Sequence, residues 1–367
     1  MGYTISEKIM ARASGNEHVH ADDILWVDID RAMMDDVLGP RLEIDDRLRE
    51  MGVDVWDPDK VVIISDHYTP PANLHQANIV KFTREWAAEH KISRYYEFAG
   101  PCHQVMVEHG HVLPGSVVVG TDSHTCTYGA LASFATGVGS TDMAAGMATG
   151  KAWFKVPSAI KVTLKGKLQP HVSGKDVILH LIGAIGVDGA LYKSLEFAGE
   201  GVASLSMDDR FTISNMAIEA GGKNGIFPVD EKTMEYINGR VNRPCEAFAA
   251  DEDAEYDSEI IIDLDKLEPT VAMPHLPENT KVVSEVAGLP INQVVIGSCT
   301  NGRISDLRAA AAVMRGKKVA DNVRCIVIPA TQEIVLQAMK EGLIQIFIEA
   351  GAAVSTPTCG PCLRSEE

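Results

Sequence analysis

Val117-Val118-Val119-Gly120-Thr121-Asp122-Ser123-His124-Thr125, "VVVGTDSHT", is a short apolar strand that runs directly into acidic, hydroxyl and imidazole side chains. Three β-branched residues in a row show no alternation, the pattern of a strand buried on both faces in a parallel sheet. The same order recurs twice. Val61-Val62-Ile63-Ile64-Ser65-Asp66-His67 ends in an acid beside an imidazole. Val294-Val295-Ile296-Gly297-Ser298-Cys299-Thr300-Asn301-Gly302-Arg303 ends in a thiol, an amide and a guanidinium. Open parallel sheets bind ligands beyond the carboxyl ends of their strands. The three polar ends are therefore expected to line one shared cleft of an α/β protein.

The surrounding pattern supports that class. Helical stretches are expected at Ser6–Ala13, Leu74–Glu89 and, from its Gly/Ala-rich composition, Gly129–Ala152. A second region opens after Pro157 with an amphipathic strand, Ile160–Leu168, and a helix from Ser173 to Ile185 boxed by Ser173 and Asp176. The acidic run Asp251-Glu252-Asp253-Ala254-Glu255 reads as a solvated loop before a strand at Ile260–Ile262. Pro269–Pro277 carries three prolines and reads as a linker. Beyond it, strands at Val294–Ile296 and Cys325–Ile328 alternate with helices at Asp306–Met314 and Gln332–Glu341. The expected division is 1–157, 158–283 and 284–367, three α/β domains.

Bulk properties exclude several functions. The formal charge of the 367 residues is −18, opposed to a sequence-independent nucleic-acid surface and to an anionic membrane. An anionic substrate would need local arginines or a metal. No apolar run approaches the length of a membrane span, and Met1–Gly15 has no apolar signal-peptide core. The start "MGYTIS" fits an acylation pattern, but Thr4-Ile5-Ser6-Glu7 reads as a helix capping box. Seven scattered cysteines make a disulfide framework unexpected and a reducing cytoplasm the expected compartment.

Three of those thiols stand apart. Cys359 and Cys362 form a Cys-x-x-Cys pair in "TCGPC", and Cys299 follows a strand, where a helix starting at Thr300–Asp306 would favour its thiolate. A Cys-x-x-Cys alone is ambiguous between a redox pair, zinc and an iron–sulfur cluster. A redox pair normally opens a helix, and zinc wants a fourth ligand. Three thiolates suit a [4Fe–4S] cube with one open iron. Asp66 with His67 and Asp122 near His124 are carboxylate–imidazole combinations suited to acid–base work, and His103 and Glu196 add one more of each type.

"GTDSHT", "GSCTNGR" and "TCGPC", in this order and with "ALYKSLEFAGEG" and "TISNMAIEAGGKNGIF" between them, resemble the aconitase superfamily of iron–sulfur hydro-lyases. Within it the likeness is to the large subunits of the isopropylmalate dehydratase and homoaconitase group, and it extends from Thr4 to Leu363. The resemblance implies three α/β domains around a [4Fe–4S] cluster held by Cys299, Cys359 and Cys362. It implies catalytic pairings of Asp66 with His67, Asp122 with His103, and Glu196 with His124, with His67 protonating the leaving hydroxyl. Ser123, Arg303 and Asp35 match substrate-contacting positions, although Asp35 replaces the Asn, Gln or His of relatives. Cys102, Cys126, Cys245 and Cys325 match no ligand and are expected to pack. The implied reaction is trans removal and re-addition of water on a small anionic hydroxy acid: isopropylmalate, homocitrate, or a methylated malate such as citramalate or 2,3-dimethylmalate. The base is a serine on a swivelling domain that, as a separate small subunit, would form a heterodimer or heterotetramer with this chain. Relatives continue past the cysteine pair with an Asn-Arg-Asn-Phe-x-Gly-Arg segment whose arginines bind carboxylates. This sequence reads "CGPCLRSEE" there, so a truncated third domain is implied, and a non-catalytic member of the family is the rival expectation.

Overall fold

Thr4 starts the first helix by the reciprocal cap its sequence predicts. The Thr4 hydroxyl accepts from the Glu7 amide at 3.2 Å, and the Glu7 carboxylate accepts the Thr4 N–H at 2.8 Å, so Ile5–Ser14 begins with its end amides satisfied. The computed structural model describes residues 2–360 other than Asn242 and the side chain of Leu42; Cys362 lies outside the described residues. They form two compact units, Met1–Ala32 with His109–Ala287, and Met33–Glu108 with Gly288–Glu367.

The first unit is built on a four-stranded, all-parallel sheet in the order Asn224–Ile226, Ser194–Ala198, Ala159–Lys165, Ser258–Asp263. The Gly174–Ile185 helix, capped by Ser173 and Asp176, lays Val177, Ile178, Leu181 and Ile182 over Val162, Leu164 and Phe197 of that sheet. Phe197 stacks on Phe227 with ring centroids 4.5 Å apart. Each such side chain, fully buried, contributes roughly 1.5–3 kcal/mol. The same unit carries the parallel pair Val117–Gly120 with Phe134–Gly137, and an antiparallel ribbon of Ile24–Asp28 with Lys151–Lys155.

Three expectations change here. Within Gly129–Ala152 the α-helix runs only from Ser140 to Thr149; Gly129–Leu131 ends a 3-10 helix, and Phe134–Gly137 and Lys151–Lys155 are strands. Alanine favours a helix but glycine does not, and at Phe134–Gly137 strand pairing with Val117–Gly120 decides. Pro269–Pro277 is not a plain linker, because Thr270–Ala272 pairs with Thr280–Val282, and the Asp176 carboxylate takes the Thr270 N–H at 2.7 Å. The acidic run is not wholly solvated either: Asp251 accepts from Tyr3 N at 2.9 Å and from Lys8 Nζ at 2.5 Å, tying down the N-terminal segment.

In the second unit Val61–Ser65 is buried throughout and pairs in parallel with Tyr95–Glu97. A three-stranded parallel sheet, Gln293–Gly297, Arg324–Ile328 and Ala353–Val354, packs on the helices Ile304–Met314, Gln332–Lys340 and Leu343–Ala350 through Leu307, Val327, Ala338 and Phe347. Cys299 does not open a long helix. Ser298–Asn301 is a single turn, and Gly302 separates it from Ile304–Met314, whose first turn is capped by Asp306 through the Arg303 N–H at 3.0 Å.

Candidate active site

Asp66 is the hub of the second unit. The buried strand Val61–Ser65 delivers it, and each of its acceptor groups is used. Oδ1 lies 2.9 Å from His67 Nδ1, and Oδ2 accepts the Cys102 N–H at 2.6 Å. Its main-chain carbonyl accepts from Thr358 Oγ1 at 2.7 Å and from the Cys359 N–H at 3.1 Å. One residue thus links the strand end, the start of the Cys102–Glu108 helix and the cysteine loop.

The sequence places Asp36 beside Asp35, where relatives also carry Asp, but assigns it no role. Asp36 is wholly buried, and its two oxygens accept the His67 N–H at 3.0 Å and the Tyr68 N–H at 3.1 Å. Asp36 Oδ1 also lies 3.4 Å from His67 Nδ1. Two buried carboxylates facing Nδ1 assign the proton to that nitrogen and leave Nε2 as the atom that exchanges protons with a ligand. Asp35, expected at the substrate, instead closes a turn: its Oδ1 accepts from Val37 N at 2.6 Å and Leu38 N at 2.7 Å. Its neighbours Asp36 and His67 offer ligand atoms within 4.8 Å of its own carboxylate, but hydrogen bonds already engage all three side chains.

The Cys299 turn is fixed by its backbone. Gly297 has φ 122° and Ser298 φ 62°, and a Cβ on Gly297 would lie 1.8 Å from the Ile328 carbonyl oxygen. Only glycine fits. Cys299 is buried, and its carbonyl accepts from Gln104 Nε2 and from Arg303 Nη2, both at 3.3 Å, while Arg303 Nη1 donates to the Thr300 carbonyl at 2.7 Å. Arg303, only 4% exposed, therefore braces the cysteine turn from beneath. Gly297→Ala should cost about 3 kcal/mol or more. It should lower the unfolding midpoint and the metal content together; an unchanged midpoint would show that the close approach is not rigid.

Cys359 comes to the same place. Burial pushes its thiol up to about 12, a hydrogen bond to His67 pulls it back, and the Cys299 thiol is near enough to raise it further. The Cys359 thiol thus lies against the His67 imidazole, with the Cys299 thiol near enough to act on it. This donor set fits a thiolate-held metal group, since soft sulfur ligands select zinc or iron–sulfur clusters. Cys362, the third expected ligand, lies outside the described residues. None of the six described cysteines forms a disulfide. His103 is buried, with its ring nitrogens 3.6 and 3.7 Å from Cys102 Sγ.

In the first unit, Val117–Gly120 delivers "TDSHT" onto a 3-10 helix, Ser123–Leu131, capped by Asp122 through the His124 N–H at 2.7 Å. His124 Nδ1 lies 3.3 Å from Ser123 Oγ and 3.5 Å from Asp122 Oδ1. Its other nitrogen, Nε2, is 3.4 Å from Glu219, a residue the sequence reading quoted within "TISNMAIEAGG" but did not single out. The expected partner, Glu196, is elsewhere. It is buried against the N-terminus of Ile5–Ser14 and accepts from Ile5 N, Ser6 N, Ser6 Oγ and Tyr256 Oη at 2.9–3.3 Å. A carboxylate on a helix N-terminus is held by amide donors and the helix dipole. The pairing of Glu196 with His124 is corrected to Glu219 with His124.

Burial nevertheless raises the Glu196 pKa, against the pull of those donors. A carboxyl whose folded pKa exceeds the roughly 4.3 of the unfolded chain adds stability below that pH, and loses it as pH rises through the folded value. Glu196→Gln stays uncharged and keeps one acceptor oxygen. The unfolding free energy of the variant, relative to the parent, should therefore rise as pH climbs above about 4.3. A difference that is flat with pH would refute the assignment.

The described helices include none long and apolar enough to cross a membrane. The model of the Aconitase family (aconitate hydratase) matches residues 7–289 and 280–367. The chain is 58% identical over 365 residues to the 3-isopropylmalate dehydratase large subunit of Clostridium kluyveri, covering 99% of this chain and 87% of that one. It is 57% identical to the protein of the same name from Caldicellulosiruptor saccharolyticus, covering 98% and 84%, and 57% identical to that of Acetivibrio thermocellus, covering 99% and 87%. Among solved structures, Thermococcus kodakaraensis aconitase X superposes with a TM-score of 0.54 at 13% identity, over 93% of this chain and 81% of that one, a likeness of fold. A parallel-stranded α/β scaffold, a carboxylate-pinned histidine beside the Cys359 thiol and relatives matched over almost every residue lead to one conclusion: the chain belongs to the aconitase family.

Proposed function

We propose that this chain is the large subunit of a 3-isopropylmalate dehydratase, a hydro-lyase that interconverts 2- and 3-isopropylmalate in leucine biosynthesis. The observation that carries the reading is 56–58% identity, over nearly the whole chain, to large subunits of that name. The name "large subunit" supports a separate small-subunit partner, in a heterodimer or heterotetramer. Six described cysteines outside any disulfide support a cytoplasmic location. The working division remains three domains, 1–157, 158–283 and 284–367.

Cys299, Cys359 and Cys362 would hold a [4Fe–4S] cluster. When bound, its open iron supplies a Lewis acid for a hydroxyl and a carboxylate. The chain's own part is proton handling and orientation. Asp66 and Asp36 hold the His67 ring, so that Nε2 delivers a proton to the departing hydroxyl, which leaves as water. A base on the small subunit takes the proton from the neighbouring carbon, and the electron pair of that C–H bond forms the double bond. Re-addition reverses both transfers. His124, oriented by Glu219 and Asp122, and Ser123 are proposed substrate contacts, with His103 and Asp122 as further acid–base residues. Arg303 and Asp35 act through turns they stabilise.

The test is reconstitution with iron and sulfide, addition of a small subunit from a matched relative, and assay with isopropylmalate, homocitrate and citramalate in parallel. Turnover greatest on isopropylmalate is expected. Faster turnover of another acid reassigns the substrate, and none on any acid with an intact cluster and a formed complex favours a non-catalytic member.

A further inference from the structure

Two of the four tryptophans lie on the surface, and they are neighbours. Trp26 and Trp153 face each other across the antiparallel ribbon of the first unit, 56% and 54% exposed. The register places Ile24 opposite Lys155, Trp26 opposite Trp153 and Asp28 opposite Lys151 on this outer face, and Ile24 is 73% exposed. The inner face is filled by Leu25, Val27 and Phe154, so the strands cannot turn over to hide the indoles. Exposed tryptophans grouped with an isoleucine are a costly surface unless something covers them.

We infer that the outer face of this ribbon is a two-fold interface with a second copy of the same chain. The argument is charge complementarity. In a protein of charge −18 this patch is locally balanced, with Asp28 on Lys151 at 2.7 Å and Asp22 on Lys155 at 2.6 Å. Stacking two such ribbons about an axis parallel to the strands exchanges the strands within each row. Trp26 then meets the second copy's Trp153, Asp28 its Lys151, and Ile24 the aliphatic stem of its Lys155. Each contact occurs twice, as an isologous interface requires. The other in-plane axis, across the strands, would oppose Lys151 to Lys155 and leave Asp28 against Ile24. One arrangement therefore satisfies both the apolar and the charged rows. Lys155 and Lys223 lie 5.9 and 4.8 Å from the Tyr192 ring centre, which extends the patch at one end. A five-residue ribbon buries less than the roughly 800 Å² a side of a stable complex, so a weak dimer is expected, with a Kd on the order of 10–100 μM.

Sedimentation velocity of the full chain from about 1 to 300 μM tests this. A monomer–dimer equilibrium is expected, weakened more than tenfold by Trp26→Glu or Trp153→Glu. Asp28→Lys alone and Lys151→Asp alone should each weaken it, because each sets like charges together twice. The Asp28→Lys, Lys151→Asp double variant should restore it, since the swapped rows match again. All four positions are exposed or half-exposed, and circular dichroism confirms that each variant is folded. A wild-type chain that stays monomeric overturns the inference, as does a dimer indifferent to these variants. A patch whose tryptophan variants fail to co-elute with a small subunit, while the wild type alone is monomeric, assigns the face to that partner and also overturns it.

Discussion

Cys299→Ser should leave the chain folded and remove nearly all of the roughly four irons per chain that reconstitution is expected to install. The fold survives because the Cys299 turn is held by main-chain bonds. Its carbonyl is gripped by Gln104 and Arg303, and its approach is set by Gly297, none of which touches sulfur. The iron is lost because a serine hydroxyl remains protonated at neutral pH and is a hard, poor substitute for a thiolate. Cys359→Ser should do the same, since its amide stays bonded to the Asp66 carbonyl at 3.1 Å whatever the side chain. Controls are built in. Cys126 donates its thiol to the Asn215 carbonyl at 3.3 Å, and burial pushes it up to about 12; Cys325 sits in the sheet core. Serine at either should cost stability and leave the iron stoichiometry unchanged. Iron and sulfide analysis with far-UV circular dichroism reads both quantities. A Cys299→Ser chain that still binds four irons, or a wild-type chain that takes up zinc alone, would refute the cluster assignment.

The parallel sheets were legible because β-branched runs such as Val61–Ile64 and Val117–Val119 carry their own signal, and the caps at Thr4 and Ser173 are written in local spacing. What failed was non-local. Phe134–Gly137 is a strand because Val117–Gly120 lies beside it, and nothing within "FATG" says so. Within the site, Asp66 and His67 were readable as sequence neighbours. Asp36 was not, since 31 residues separate it from His67 and only the fold brings its carboxylate beneath that amide. Glu196 and Glu219 show the same limit from the other side. Both are glutamates in recognisable stretches, and the sequence offers no means of telling which one reaches His124. The fold decides it by giving Glu196 four donors around the start of the first helix.

Asp66→Asn should lower kcat by about 10²–10⁴-fold while KM and iron content change little, with His67→Ala at or beyond the upper end of that range. The substitution is selective. Thr358 and Cys359 are anchored to the main-chain carbonyl of Asp66, so the cysteine loop keeps both bonds when the side chain changes. One amide oxygen remains to accept the Cys102 N–H that Oδ2 now takes at 2.6 Å. The amide nitrogen then faces His67 Nδ1, where a donor meets a donor, and the ring must flip, change tautomer or tilt away. Asp36 compensates only poorly, because its Oδ1 lies 3.4 Å from His67 Nδ1, against 2.9 Å for Asp66, and both its oxygens also hold the His67 and Tyr68 amides. Proton delivery from Nε2 is therefore impaired, while the other groups proposed to contact substrate stay in place. The same variants separate catalysis from scaffold. If Asp66→Asn lost iron in proportion to activity, the residue would be a support for the cysteine loop. If it kept both iron and full turnover, His67 would not be the acid, and the proton would have to reach the hydroxyl from another side chain.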